Sequence, residues 1–112
     1  MEKKKLQVLT SNKFDNIDIP QIHTYGFETF GIIVADYFVD SIYAHLKLLE
    51  KNPLIFPECR HLKTKTQIYR NIILGSYLII YRITPKRIEV LRAIHGSQSP
   101  KVFKKIRQLK LK

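Results

Sequence analysis

The sequence predicts an α+β fold in which a helical hairpin packs on an antiparallel β-sheet. Three observations predict it. Ile32, Ala35, Val39, Ile42, Leu46 and Leu49 recur at alternating spacings of three and four, which lines up one buried helical stripe. QIYRNIIL, YLIIYRI and RIEVLRAIH are three apolar, β-rich runs in direct succession. Between them stand Gly75 with Ser76, then Thr84, Pro85 and Lys86, the punctuation of two hairpins. The 112 residues suit one domain over 1–112, closed by a basic tail from about 100 to 112.

Each element follows from its own residues. Lys4 to Thr10 alternate weakly and read as a strand that joins the sheet. Ser11 or Asn12 can cap a helix, which Pro20 bends or restarts and which Gly26 and Gly31 weaken. The long helix runs from about Gly31 to Lys51, with Asp36, Asp40, Lys47 and Glu50 on its outer side. Asn52 ends it, because a residue before proline is pushed out of the α region. NPLIFPECRHLKTKTQ reads as a connecting loop, within which His61, Lys63 and Lys65 make a small basic cluster just ahead of the sheet. In the tail, Val102, Phe103, Ile106 and Leu109 predict a short basic amphipathic helix. With the helical pair on one side of the meander, the other sheet face is expected to stay open and to carry function.

The composition, 45% apolar and 26% charged, is that of a soluble globular protein and speaks against disorder or a coiled coil. Twenty Lys and Arg against nine Asp and Glu give a formal charge of +11. Such a surface attracts polyanions: nucleic acid, an acidic protein or an acidic leaflet. Much of the charge lies at the ends, either as solvated tails or as a partner-binding surface. The one cysteine, Cys59, excludes an internal disulfide and reads as an incidental loop thiol in a reducing compartment. The start lacks a signal-peptide pattern, and no apolar run is long enough to span a bilayer, so a cytoplasmic location without membrane partners is expected. His23, His45 and His61 lie far apart with no ligand spacing, so no metal is expected. Nor is a cofactor, since no phosphate-cradling glycine loop is present.

The second hairpin carries the polar residues that need explaining. A four-residue loop from Thr84 to Arg87 sets Ile83 opposite Ile88 and Arg82 opposite Glu89, a cross-strand ion pair that accounts for Arg82. The same register sets Ser76 opposite His95 and Ile79 opposite Arg92, and puts Arg92 on one face with Tyr77, Tyr81 and Ile94. If the first hairpin loop is even-numbered, Arg70 falls opposite Ile79 and shares that face; an odd loop sends it to the reverse. Two arginines among tyrosines can grip phosphates, carboxylates or a partner's carbonyls. Alternatively, each pairs with a helix carboxylate such as Asp36 or Asp40. His95 is either a general acid or base or a strand-end residue bonded to a neighbour.

DNIDIPQIHTYGFETFG, VADYFVDSIYAHLKLLEKNP, YLIIYRI and IEVLRAIHG, in that order, resemble the RelE/ParE superfamily of bacterial type II toxins. The likeness runs from about residue 6 to 100, and the closing YRI…IEVLRAIHG is its most specific part. It implies a sheet with a helical hairpin packed on it, and a cognate antitoxin whose acidic or amphipathic segment folds around the toxin. The complex would repress its own operon through the antitoxin. RelE-like members cleave ribosome-bound mRNA with basic residues and often a tyrosine, whereas ParE-like members poison DNA gyrase. Here Leu78 follows Tyr77 where RelE-like chains commonly have Arg, Ile72 stands where a second cation is usual, and Ser97 and Gln98 follow the glycine. Those departures remove most of the charge a ribonuclease needs and favour the ParE side. The resemblance therefore implies a growth-inhibiting toxin with no catalytic residues, in which Arg70, Tyr77 and Arg92 touch a partner. A ribonuclease would instead use Arg70, Tyr81, Arg92 and His95, and an inactive homologue would only bind its antitoxin.

Overall fold

The computed structural model of the chain describes residues 6–98 and 100–111. Strand β1 (Gln7–Thr10) leads through a π-helical turn (Phe14–Asp18) into helices α1 (Ile19–Phe30) and α2 (Ile32–Leu48). After the loop come β2 (Tyr69–Leu74), β3 (Tyr77–Ile83), β4 (Arg87–His95) and the short helix α3 (Pro100–Ile106). The α+β expectation holds, and so does the N-terminal strand, although Lys4 and Lys5 lie outside the described residues. The sheet order is β1-β4-β3-β2; β2, β3 and β4 are antiparallel, but β1 runs parallel to β4 at the edge.

Local chemistry explains the helical half. Ser11 caps the first turn by accepting the Phe14 N–H at 3.0 Å, and its hydroxyl donates to the Leu91 carbonyl at 2.5 Å. Pro20 falls in the first turn of α1, directly after the π-helical turn, and Asp18 (φ −66°, ψ −51°) and Ile19 keep helical dihedrals, so the helix passes through it without the expected restart. Gly26 does not break α1. A β-carbon on it would stand 3.4 Å from Ala35, so the glycine lets α1 and α2 approach closely. Gly31, at φ 95°, is the single residue between the helices.

Two apolar layers hold the sheet. On one face Phe14, Ile22, Ile42, Leu46 and Leu49 pack against Ile72, Ile79, Tyr81, Ile88 and Val90. The other face is not open. Phe103 and Ile106 of α3, with Cys59 and Leu62 of the loop, cover Tyr69, Ile80, Leu91 and Ile94. The tail's apolar stripe and the cysteine that reads as a loop thiol together complete a second core, and Cys59 is buried.

The first hairpin closes on Gly75 and Ser76, with Leu74 opposite Tyr77 and Gly75 at φ 57°, as a primed two-residue turn needs. The second sets Ile83 opposite Ile88 and Arg82 opposite Glu89, as expected. Beyond Tyr81 the register shifts. Tyr81 faces Val90, but Ile80 faces Arg92, so Leu91 is an extra residue on β4.

Candidate partner-binding site

That bulge redistributes the candidate residues. Arg92 lies opposite Ile80, not Ile79, and His95 opposite Tyr77, not Ser76. Arg70 lies opposite Tyr81, on the α1–α2 side of the sheet. The bulge turns Arg92 toward the other side, so the two arginines do not share a face. Arg92 also leaves the sheet face that Tyr77 and Tyr81 share, and only Tyr77, at the end of β3, stays near it.

Arg70 and Tyr81 form one group. The Arg70 guanidinium donates to the Phe56 carbonyl at 2.8 Å, and the Tyr81 hydroxyl donates to the Pro53 carbonyl at 2.7 Å. Together they tie the loop after α2 to the sheet. Tyr81 is fully buried, and that burial pushes its phenol up to about 12. It is a structural hydrogen-bond donor, sealed from any substrate.

Tyr77, Arg92 and His95 form the other group, around a depression of about 200 Å³ that Asp18, Gln21 and Gln98 also line. Arg92 makes a bidentate pair with Asp18, Nε to Oδ2 at 2.7 Å and an Nη to Oδ1 at 2.8 Å, while Ala93 N–H donates to Oδ2 at 2.9 Å. The arginine does meet a helical carboxylate, but neither Asp36 nor Asp40. Asp36 instead contacts His23 at 2.7 Å across the helical hairpin. The His95 Nδ1 sits 2.7 Å from the Ser97 hydroxyl and accepts the Ser97 N–H at 3.2 Å, and the ring meets Tyr77 edge-on.

Next to this depression opens a larger cleft of about 490 Å³, lined by Ile22, Tyr25, Phe30, Val34 and Phe38 of the helices and by Tyr77 and His95 of the sheet. On the same helical hairpin Phe27, Ile33 and Tyr37 are also exposed, Ile33 at 83% and Tyr37 at 76%. Residue-by-residue reading of the strands missed this surface. Its signal was present as FETFGIIVADY, an apolar run in which Ile33, Val34 and Tyr37 fall outside the buried stripe of α2. Exposed apolar area on this scale marks an interaction site.

A family model described as ParE toxin of type II toxin–antitoxin system, parDE, matches residues 18–100. The chain belongs to the ParE toxin family. Among solved structures it is similar to a chain of the chromosomal ParDE toxin–antitoxin system from P. aeruginosa, with a TM-score of 0.67 and 18% identity over 83% of this chain and 98% of that one. At that identity the likeness shows the fold: a ParE-like helical hairpin on a mostly antiparallel four-stranded sheet. Curated proteins give no match. Among the described residues no helix is long and apolar enough to cross a membrane, and no His, Cys, Asp or Glu cluster could hold a metal.

Proposed function

We propose that this ParE-family toxin arrests growth by poisoning DNA gyrase and is neutralised by a cognate antitoxin seated on the apolar cleft between the helical hairpin and the end of the sheet where β3 begins and β4 finishes. The observation that carries the antitoxin site is the apolar cleft, together with the exposed Phe30, Ile33 and Tyr37 of the same helical hairpin. A globular toxin left alone exposes this surface to water, and a disordered segment that folds into it as an amphipathic helix buries it. Tyr77 lies in the cleft wall and is the partner contact of the three first expected. Arg92 meets the partner only through the margin of the neighbouring depression, and Arg70 is occupied with the loop carbonyls. The +11 charge speeds the encounter with an acidic partner.

The gyrase reading is supported by the division of the four residues a ribonuclease would need. One phosphate would have to meet Arg70, Tyr81, Arg92 and His95 together. Arg70 and the sealed Tyr81 hold a loop on the helix side, while Arg92 pairs with Asp18. The deciding experiment is pulse labelling of protein synthesis in the minutes after the chain alone is induced in bacteria. Continued synthesis while growth fails is expected. An immediate collapse of synthesis would overturn the gyrase reading in favour of mRNA cleavage, and normal growth would mean a homologue that only binds its antitoxin.

A further inference from the structure

Charge is segregated along this chain. Residues 14 to 46, which make most of the helical side of the sheet, hold five of the nine carboxylates and none of the twenty Lys and Arg, the next cation being Lys47 in the last turn of α2. The opposite side is rich in cations, and of its carboxylates Glu89 is paired with Arg82 and Arg87. There Lys101, Lys104 and Lys105 stand exposed on α3, whose Phe103 and Ile106 are turned into the second core. Arg60, Lys63 and Lys65 stand exposed on the loop that supplies Cys59 and Leu62 to that same core.

The two strips are joined. The His61 ring stacks on Phe103 at 4.1 Å, and the Arg107 guanidinium donates to the Lys63 carbonyl at 3.2 Å and lies over Tyr69. None of the six cations forms an ion pair with another described residue. The pairs present are His23–Asp36, Arg82–Glu89, Arg87–Glu89 and Arg92–Asp18. Glu58 is the carboxylate nearest them in the loop, and it accepts the Thr64 N–H. A groove of about 240 Å³ borders α3, with Lys13, Arg92 and Lys105 on its walls and no carboxylate among its lining residues.

We propose that this α3 and loop face is a second docking surface, which grips the phosphate backbone of duplex DNA. An acidic protein fits it poorly, because a stable protein interface needs an apolar centre and is depleted in lysine. Here the apolar side chains are folded into the second core. Single strands are held by exposed aromatic rings, and on this face Phe103 and Tyr69 are buried. What remains is a sequence-blind row of cations that matches a regular row of phosphates. The choice of DNA over RNA rests on the gyrase reading, whose target works on a DNA duplex; the basic face itself does not.

The test is fluorescence anisotropy of the full chain with a labelled 20-base-pair DNA duplex, without gyrase, across a salt series. Lys104→Ala with Lys105→Ala is compared with Lys47→Ala with Lys51→Ala, which removes the same charge from the last turn of α2 and the turn that follows it. Alanine in a helix does not weaken α3, and circular dichroism checks the fold of both. Each lost phosphate contact removes roughly 0.9 from the slope of log affinity against log salt. The α3 pair should flatten that slope by about 1.8 and weaken binding at low salt at least five-fold, roughly the loss of two such contacts. The α2 pair should leave both within about two-fold, since non-specific binding follows the phosphates actually met. Equal losses in the two pairs, equal affinity for poly-glutamate, or no duplex binding at all would overturn the docking surface. A clear preference for an RNA duplex would overturn the choice of DNA. A wild-type chain that binds DNA yet leaves gyrase untouched would refute the gyrase reading while leaving the surface standing.

Discussion

Replacing Arg92 with alanine should cost more stability than an exposed arginine normally does. The Asp18 carboxylate is 3% exposed and has three donors, two from Arg92 and one from the Ala93 N–H. Removing the guanidinium leaves an anion that is almost fully buried, with a single backbone partner, in the wall of the neighbouring depression. Orphaning one member of a buried pair costs about 3–5 kcal/mol. Asp18→Asn keeps an oxygen for the Ala93 N–H and leaves Arg92, whose side chain is 21% exposed, able to reach solvent, so it should cost about 2 kcal/mol. The two are compared by urea unfolding followed by circular dichroism, with unchanged m-values as the control for two-state behaviour. A cost below about 1 kcal/mol for Arg92→Ala would refute the reasoning, because ion pairs worth that little are surface pairs. The result also governs how Arg92 is read as a partner contact. Charge reversal there sets two carboxylates face to face, so weakened antitoxin binding counts only for variants shown to be folded.

Ile33→Asp should lower antitoxin affinity at least a hundred-fold while shifting Tm by less than about 2 °C, since the side chain is already in water and surface changes of this kind move stability little; unchanged affinity by calorimetry would remove the hairpin rim from the site. Glu89 is held below its ordinary 4.5, because Arg82 and Arg87 outweigh the burial that would raise it. Its contribution is therefore complete above the unfolded value of 4.5 and is lost as pH falls through the lower folded value. Glu89→Gln should cost about 3 kcal/mol at pH 7 and should flatten the loss of stability below pH 4.5 in acid titrations followed by circular dichroism. The Cys59 thiol, fully buried and pushed up mainly by that burial, should react with a disulfide reagent at least a hundred-fold slower in the native chain than in urea.

The helices, the hairpins and the Arg82–Glu89 pair were legible because each rests on local information: a 3.6-residue stripe, a turn of fixed length, a register counted back from that turn. Three features were not legible, for three different reasons. The tail showed an amphipathic helix, but its apolar side needs a surface, and sequence does not say which; it chose the sheet face that two helices alone would have left bare. β1 pairs in parallel after a long excursion through the helices, so its direction depends on where the chain returns and not on its four residues. The bulge at Leu91 has no composition signal, because VLRAI alternates well enough either way. One unpaired residue was enough to part Arg92 from Arg70 and Tyr81.

The carbonyls at that bulge are held by a residue eighty positions upstream. β1 pairs with β4 only as far as Thr10 opposite Val90, and the chain then turns away into the capped helical turn. The Ser11 N–H donates to the Val90 carbonyl and its hydroxyl to the Leu91 carbonyl, so the cap that starts the helix also fixes the carbonyls on either side of the extra residue. Past this point β4 would be a bare sheet edge. Asp18 accepts the Ala93 N–H there and anchors Arg92, doing with a side chain what a fifth strand would do with its backbone. Sealing that edge with a carboxylate keeps the strand from pairing with other chains and leaves Tyr77 and His95 beside it at the cleft. The turn of the helical hairpin is thereby free to present an apolar surface, while the exposed cations of α3 and the loop gather on the far side of the sheet.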